Sequence, residues 1–525
     1  MSAPSDHRVI VGQTGQNVLG LAIGAVATFV AQVLITNALG DQAFGVVTLT
    51  TQAAFIAAAA TRFGMDVANV RLVAILAGRG ELGRARGLVR RSVAIAASVS
   101  VPFSVVAYLA SPWFAERFSA VPAVAEPAFR AAAVTVPFAA LAFVMMGATR
   151  GLKIMRYTLY SQWIAQPIGW ILLTIAFWAA SKTPGMTTLA FGASWAAALA
   201  IAAAGWDRER RRLAPSGDAP QGDVVAGADA ESGIPEEHPG ALVRFGALRA
   251  PATLFSQLIF WTDLFVLSIL WSDRGEAGAS RVGVYGAVLR AGQALFLFLT
   301  SVSLTFSPFV ADLHHRGERD RLDELYKNVT RWTLAATIPV LLVLGILPQP
   351  TLRIFGPEFV AGDDALRTLI VGMIVPVTVG TVGFILIMAG RTGWDLAVYL
   401  GGFAIDIGVA LALAGPASMG IRGAAIAQAC TLSFSAIARL FLVRRFLGIW
   451  PFDRAWLRLV APTLLAALTM GLAHAAMPAD RWFVDLLVSA ALGTAVYAGA
   501  MLVVGLTPAE RAAIRRLLRR RSPAD

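Results

Sequence analysis

The sequence predicts an all-α polytopic membrane protein of about fourteen transmembrane helices, arranged as two six-helix lobes followed by two extra C-terminal helices. Three observations carry this. Hydrophobic residues make up 57% of the 525, charged residues only 14%, and the mean hydropathy is +0.67. An ordinary soluble domain carries about 25% charged residues. Charge-free runs long enough to span a bilayer, roughly 20 residues, recur along the whole chain, most clearly at 9–40, 42–61, 92–115, 157–181, 291–311, 368–390 and 486–508. Finally, the basic residues alternate between loops as a multi-pass topology requires.

Taken in order, the spans are expected near 15–38, 43–61, 92–110, 128–148, 158–179, 186–205, 250–272, 282–307, 332–348, 368–389, 394–414, 421–441, 459–476 and 486–506. With the N-terminus inside, 34 of the 44 Lys and Arg fall on the cytoplasmic side, nine on the outer side, and Arg290 within a span. This is the positive-inside rule at work. The net charge of +12 therefore reports topology and a preference for anionic inner-leaflet lipid, and it gives no reason to expect nucleic acid. Both termini are expected in the cytoplasm. No small-residue cleavage site follows the first apolar run, so that run is read as a retained span. The lone Cys430 cannot form an intramolecular disulfide.

Five segments follow: an N-terminal lobe at 1–206, a cytoplasmic linker at 207–240, a C-terminal lobe at 241–450, a final helix pair at 451–506 and a tail at 507–525. The linker, "DRERRRLAPSGDAPQGDVVAGADAESGIPEEHPG", is rich in Pro, Gly and charge and reads as flexible. The tail opens with Thr507, Pro508 and Glu510 as a capping box. Its apolar Ala512, Ile514, Leu517 and Leu518 stand beside six arginines, as in a helix lying on the membrane surface.

The two lobes echo each other. "GRGELGRARGLVRRS" follows span two, and "HRGERDRLDELYKNVTR" follows span eight, 237 residues later (78 against 315). "ATRGLKIMRYTLY" after span four parallels "MAGRTGWDLAVYL" after span ten, and "LAFGASWAAAL" in span six parallels "GIRGAAIAQAC" in span twelve. A parallel repeat implies a pseudo-two-fold axis along the membrane normal, with substrate handled where the halves meet.

"ITNALGDQAFGVVTLTTQAAF", "FGMDVANVRLVA", "RVGVYGAVLRAGQALF", "FSPFVADLHHRGERDRLDELY", "LRIFGPEFVAGDDALRTLIVG" and "GIRGAAIAQA" carry a resemblance. Over roughly residues 12–450 the chain resembles the polysaccharide-transporter branch of the multidrug/oligosaccharidyl-lipid/polysaccharide (MOP) exporter superfamily. The resemblance implies a two-lobed flippase of twelve to fourteen helices. Such a protein moves lipid-linked oligosaccharide, usually on undecaprenyl pyrophosphate, between leaflets of the bacterial inner membrane by alternating access. It also implies the lipid-linked oligosaccharide as substrate, a polysaccharide polymerase or glycosyltransferases as pathway partners, no cofactor beyond a coupling H⁺ or Na⁺, and no enzymatic chemistry.

Ionisable residues inside spans are few. Asp263 lies about ten residues from the outer end of span seven, ~15 Å deep at the helical rise. Arg290 in span eight and Asp406 in span eleven stand at similar depth. Two readings stay open: a structural Asp263–Arg290 pair joining neighbouring helices, and a cation-coupling or gating site built on Asp263 and Asp406. Related drug exporters resemble this in keeping a carboxylate on the seventh helix. A second group, Arg62, Arg71, Arg150, Lys153, Arg249 and Arg391, sits at cytoplasmic span ends. Arg62, Arg150, Arg249 and Arg290 are the candidate substrate-binding cations, since a pyrophosphate suits the planar guanidinium. Asp66, four residues past Arg62, can pair with it on one helix face. Ordinary positive-inside topology is the competing account of these arginines. Gln13, Gln16, Asn17 and Gln32 fit either a sugar-lined cavity or helix–helix hydrogen bonds. Trp163, Trp170, Trp178, Trp261 and Trp271 fit interface belts or sugar platforms.

Other functions remain in view. A multidrug/cation antiporter and a peptidoglycan-precursor lipid flippase are siblings within the superfamily. Against the latter, no arginine stands between Arg8 and Arg62. A membrane glycosyltransferase or acyltransferase would need acids or His in a sizeable outer loop. The first outer loop holds only Asp41, and of five His only His474 lies in a span.

Overall fold

A computed structural model describes residues 3–213, 239–315, 318–380, 382–388 and 391–507. Among the described residues the chain is helical throughout, with no strand. The apolar helices satisfy their own backbone groups, as a bilayer demands. Nine described helices are each long and apolar enough to cross a membrane, and a bent pair can form a tenth span. The tail beyond Thr507 and residues 214–238 of the expected linker lie outside the described residues.

In order, the helices are α1 (Ala3–Thr61), α2 (Met65–Gly78), α3 (Leu82–Leu109), α4 (Ser111–Phe118), α5 (Pro122–Gly151), α6 (Arg156–Thr158), α7 (Gln166–Trp178), α8 (Pro184–Leu213), α9 (Pro239–Leu258) and α10 (Thr262–Leu270). There follow α11 (Gly275–His315), α12 (Arg319–Ile346), α13 (Pro348–Arg353), α14 (Asp363–Val379), α15 (Val382–Met388), α16 (Thr392–Leu413), α17 (Ile421–Leu447), α18 (Val460–Ala476) and α19 (Trp482–Ala500). The first two expected spans share α1 and part at Gly40, whose φ of 78° only glycine adopts readily. Spans five and fourteen carry single π-helical stretches at Leu159–Ala165 and Met501–Gly505. Span ten breaks between α14 and α15 at Gly380, φ 70°. The helix of span six runs on through residues 207–213, where Asp207–Arg210 and Glu209–Arg212 pairs at i,i+3 support it.

Packing groups the chain into two compact units, Met1–Gly286 and Ala287–Asp525, with the dividing point inside α11. In the first unit α5 is the hub, packed on α8, α3, α2 and α1. Small residues allow the close approaches. A Cβ on Gly24 would meet the Trp163 carbonyl at 2.4 Å, and one on Gly147 would meet the Asp66 carbonyl at 2.3 Å. In the second unit α17 is the hub, packed on α14 and α16, and Gly372 lies against Ala429. The last helix pair, α18 and α19, rests on α12. Met470, Leu486 and Tyr497 pack there with Ala335 and Ile338, and the Tyr497 hydroxyl donates to the Ala335 carbonyl at 2.8 Å.

The sequence echo is a structural one. α3 and α12 are both 28 residues long, and α12 opens at residue 319, 237 positions after α3 opens at residue 82. The residue before each helix is a glutamate, Glu81 or Glu318, and each pairs with the arginine three residues on, at 2.5 Å to Arg84 and 2.6 Å to Arg321. Pro102 and Pro339 occupy the same place in the two helices. Neighbour patterns match as well: α3–α5–α8–α7 in the first unit corresponds to α12–α14–α17–α16 in the second.

Gly24→Val should lower the melting temperature of the purified protein sharply or prevent its accumulation, because the Trp163 backbone cannot yield. Gly471→Ala, whose added methyl meets nothing within 4 Å, should leave it unchanged or raise stability by about 0.5–1 kcal/mol. Thermal melting of the two variants in detergent is the check.

Candidate functional site

Asp263 lies at a break in span seven. α9 ends at Leu258, Trp261 leaves helical conformation with φ −141°, and α10 starts at Thr262 bent 57° from α9. A new helix inside a bilayer opens with N–H groups that no preceding turn can satisfy. Asp263 answers one of them: its Oδ1 accepts the Leu264 N–H at 2.8 Å. The positive end of the helix dipole also favours a carboxylate there. Its Oδ2 accepts the Tyr285 hydroxyl from α11. Both residues are fully buried. Tyr285 went unnoticed in the sequence, although a lone phenol inside the apolar "VGVYGAV" was a legible signal.

The kink of α1 at Gly40 and the first turns of α11 are tied nearby. Asp41 accepts the Ser280 hydroxyl, and a Cβ on Gly283 would meet the Asp41 carbonyl at 1.8 Å. Gly45 approaches the Gly283 backbone nitrogen with an ideal-Cβ distance of 2.8 Å. The short α4 adds Phe118, edge-on to Phe265 of α10 at 6.0 Å.

The cationic group gathers at the other end of the unit. α1 stops at Thr61, and Phe63 and Gly64 take φ of 52° and 68° before α2 begins. A phenylalanine in the left-handed region costs about 1–2 kcal/mol, and the site is held by packing: a Cβ on Gly246 of α9 would meet the Phe63 carbonyl at 2.3 Å. This break turns Arg62 inward. It is 8% exposed, its Nε lies 3.4 Å from Asp66 Oδ2, and its guanidinium stands 4.5 Å from the Phe143 ring centroid. Phe143 is backed by Trp195 at 5.2 Å and Phe55 at 5.8 Å. Arg150, in the last turn of α5, donates to the Met146 carbonyl at 3.4 Å and feels both the Asp66 charge and the opposing Arg62 charge. Arg62 is thus paired with Asp66 while Arg150 stands near both, so the three side chains together carry a net positive charge. Asn69 donates to the Val144 carbonyl at 3.1 Å and fastens α2 to α5.

The remaining candidates fall elsewhere. Arg249 belongs to α9, its side chain outside the described residues. Arg290, in the second unit, donates to Gln293 at 3.4 Å. Asp406 is fully buried within α16. Arg71 and Lys153 are exposed, and Arg391 faces the Phe446 ring at 4.6 Å. Trp170 and Trp261 are buried, and Trp170 donates to the Thr187 carbonyl at 3.1 Å, so both are core residues. Among the ion pairs that the sequence reading missed, two join distant residues. Arg439 pairs with Asp395 at 2.9 Å between α17 and α16, over the Tyr399 ring. Arg156 and Tyr157 both donate to buried Glu209, which holds the Arg156 guanidinium above its ordinary value. Each joins residues more than forty positions apart, which no local pattern displays.

Removing Asp66 alone leaves Arg62 buried without its carboxylate. Asp66→Ala should therefore destabilise by about 3–5 kcal/mol, while Arg62→Met with Asp66→Leu should recover most of that loss. Denaturation of the three proteins in the same detergent reads the difference.

The family model for polysaccharide biosynthesis proteins matches residues 13–314. No curated protein matches the chain in sequence. Among solved structures, the chain is similar to an inward-facing multidrug-resistance MATE family transporter of the MOP superfamily. The TM-score is 0.65 at 16% identity, over 82% of this chain and 98% of that one. It is similar to the lipid II flippase MurJ in an inward closed conformation, with TM-score 0.66 at 13% identity, over 93% and 98%. A MOP superfamily transporter from Pyrococcus furiosus gives TM-score 0.60 at 15% identity, over 84% and 95%. These likenesses establish the fold. With a family model spanning more than half of its length, the chain belongs to the polysaccharide biosynthesis protein family.

Proposed function

We propose that the protein is a flippase carrying undecaprenyl-pyrophosphate-linked oligosaccharide from the inner to the outer leaflet of the bacterial inner membrane by alternating access. Both termini then lie in the cytoplasm. The observation that carries this reading is the Arg62–Asp66–Arg150 group. Two guanidinium groups stand near one acid, paired with one of them, at the ends of α1 and α5 that this reading places at the inner leaflet, in a chain of the polysaccharide biosynthesis family. A pyrophosphate headgroup entering from the inner leaflet would supply the missing negative charge, and guanidinium groups match phosphate oxygens two at a time. Arg249 and Arg290 are the further cations of this reading. Annular membrane lipids surround the helices, and the polymerase and glycosyltransferases of the pathway are the expected partners.

Asp263 and Asp406 are the coupling or gating carboxylates, with H⁺ or Na⁺ as the coupling ion. Buried acids within spans are retained where ions move. Alternating access also requires the outer contact to part, and Asp41–Ser280 with Gly45 and Gly283 is the contact that would do so. The drug-antiporter and peptidoglycan-precursor readings share this fold but carry other cargo.

Purified protein in liposomes should move a labelled undecaprenyl-pyrophosphate oligosaccharide between leaflets. A cationic drug moved in its place, or lipid II moved equally fast, overturns the substrate assignment. Asp263→Asn should reduce flipping at least tenfold while protein abundance stays normal. Arg290→Ala should slow it as well, and wild-type flipping in that variant removes Arg290 from the cationic path.

A further inference from the structure

Arg331 of α12 is only 3% exposed, whereas the positive-inside rule places basic residues in loops, in water. The repeat does not call for it either. Counting back the 237 residues that separate the starts of α12 and α3, the matching position holds Ala94. What the second unit adds to the repeat is the pair α18 and α19, which rests on α12. Arg331 lies one turn before Ala335, whose carbonyl takes the Tyr497 hydroxyl of that pair.

Arg331 feels the Asp453 charge and the opposing Arg458 charge. Arg458 is half-buried in the 3₁₀ turn Arg454–Leu459 that leads into α18. Its Nη1 donates to the Leu506 carbonyl at 2.8 Å, where the π-helical end of span fourteen stops. Three segments of chain thus converge on two guanidinium groups. The acids nearby have other duties. Asp453 is exposed, and its Oδ1 accepts the Ala455 N–H at 2.9 Å as the cap of the 3₁₀ turn. Asp323 of α12 takes Lys327 at 2.5 Å and the Trp450 N–H at 2.9 Å.

Beside this group the surface turns apolar. Leu457 is 72% exposed, and Val460, Leu464, Leu468 and Leu472 are exposed at every fourth position of α18, a stripe ~18 Å long at the helical rise. Trp332, next to Arg331, is 43% exposed, and a tryptophan so placed marks the level where hydrocarbon meets headgroups. A free phosphate would use the arginines and leave the stripe in contact with nothing of its own. A phospholipid uses both, since guanidinium groups take phosphate oxygens two at a time and an acyl chain covers the leucines.

We propose that Arg331 and Arg458 bind the headgroup phosphate of an anionic phospholipid, whose acyl chain lies along the exposed stripe of α18. A zwitterionic headgroup brings a cation of its own to two arginines, so the anionic lipid is preferred. The bound lipid ties α12 to the appended pair. The site lies wholly in the second unit, and it stands whether or not the protein moves lipid-linked oligosaccharide.

Native mass spectrometry of purified full-length protein, titrated with phosphatidylglycerol or with phosphatidylcholine of the same chains, tests it. Wild type should hold its first phosphatidylglycerol about tenfold more tightly than phosphatidylcholine. Arg331→Gln and Arg458→Gln should each weaken phosphatidylglycerol binding about tenfold, as loss of one charge-assisted hydrogen bond does. Arg454→Gln, at an exposed position in the same turn, should bind like wild type. Equal binding of the two lipids by wild type overturns the proposal, as does wild-type phosphatidylglycerol affinity in either of the first two variants. An equal loss in Arg454→Gln also overturns it, because the effect is then one of general surface charge. Inorganic phosphate at the lipid's own concentration should not displace it, and displacement overturns the assignment to a lipid. If Arg331→Gln does not accumulate, Arg458→Gln against Arg454→Gln decides by the same criteria.

Discussion

A bilayer offers no hydrogen bonds to a peptide, so each interruption of a helix must be answered from within the protein. That constraint organises the regions around Asp263 and Arg62. Where α9 stops and α10 begins, the Asp263 carboxylate supplies an acceptor for a backbone N–H that has lost its helical partner. Where α1 gives way to α2, the turn is compact, with the Met65 N–H returning to the Arg62 carbonyl at 3.0 Å and the Ala68 N–H to the Gly64 carbonyl at 3.0 Å. Both interruptions coincide with an ionisable side chain. A break allows such a side chain to be aimed inward, and a straight helix would set its direction by the turn alone.

The same medium governs the charges. A lone ion in hydrocarbon costs several kcal/mol, so buried ions come in groups. Arg62, Asp66 and Arg150 form one, Arg439 and Asp395 another, and Arg156 with Glu209 a third. In the first, Arg62 and Arg150 both stand near Asp66, and in the third, Arg156 and Arg212 both pair with Glu209. The aromatic wall behind Arg62, formed by Phe143, Trp195 and Phe55, steadies the guanidinium through its ring face without neutralising it.

The repeat joins architecture to motion. α3 and α12 keep length, opening glutamate, paired arginine and internal proline at one offset, so the two halves are variations on one helical unit. The Arg62 group lies in the first unit near α2, while the Asp395–Arg439 pair is a buried pair of the second. The added helices α18 and α19 lean on α12 through an apolar seam and one Tyr497 hydrogen bond.

Much of this was legible in the sequence because the relevant physics is local. Runs of apolar residues without charge mark helices long enough to cross a bilayer, and the 237-residue echo exposes the repeat. Arg62 with Asp66 was visible for the same reason, being four residues apart on one helix. Asp263 stood out as a carboxylate in an apolar run, but its partner did not. Tyr285 lies 22 residues away on another helix, and only packing joins them. The bend at Trp261, the inward turn of Arg62 and the Arg439–Asp395 pair were likewise decided by tertiary structure. Hydropathy records how much a segment avoids water, whereas a bend or a cross-helix bond depends on what stands opposite, and a single segment does not contain that information.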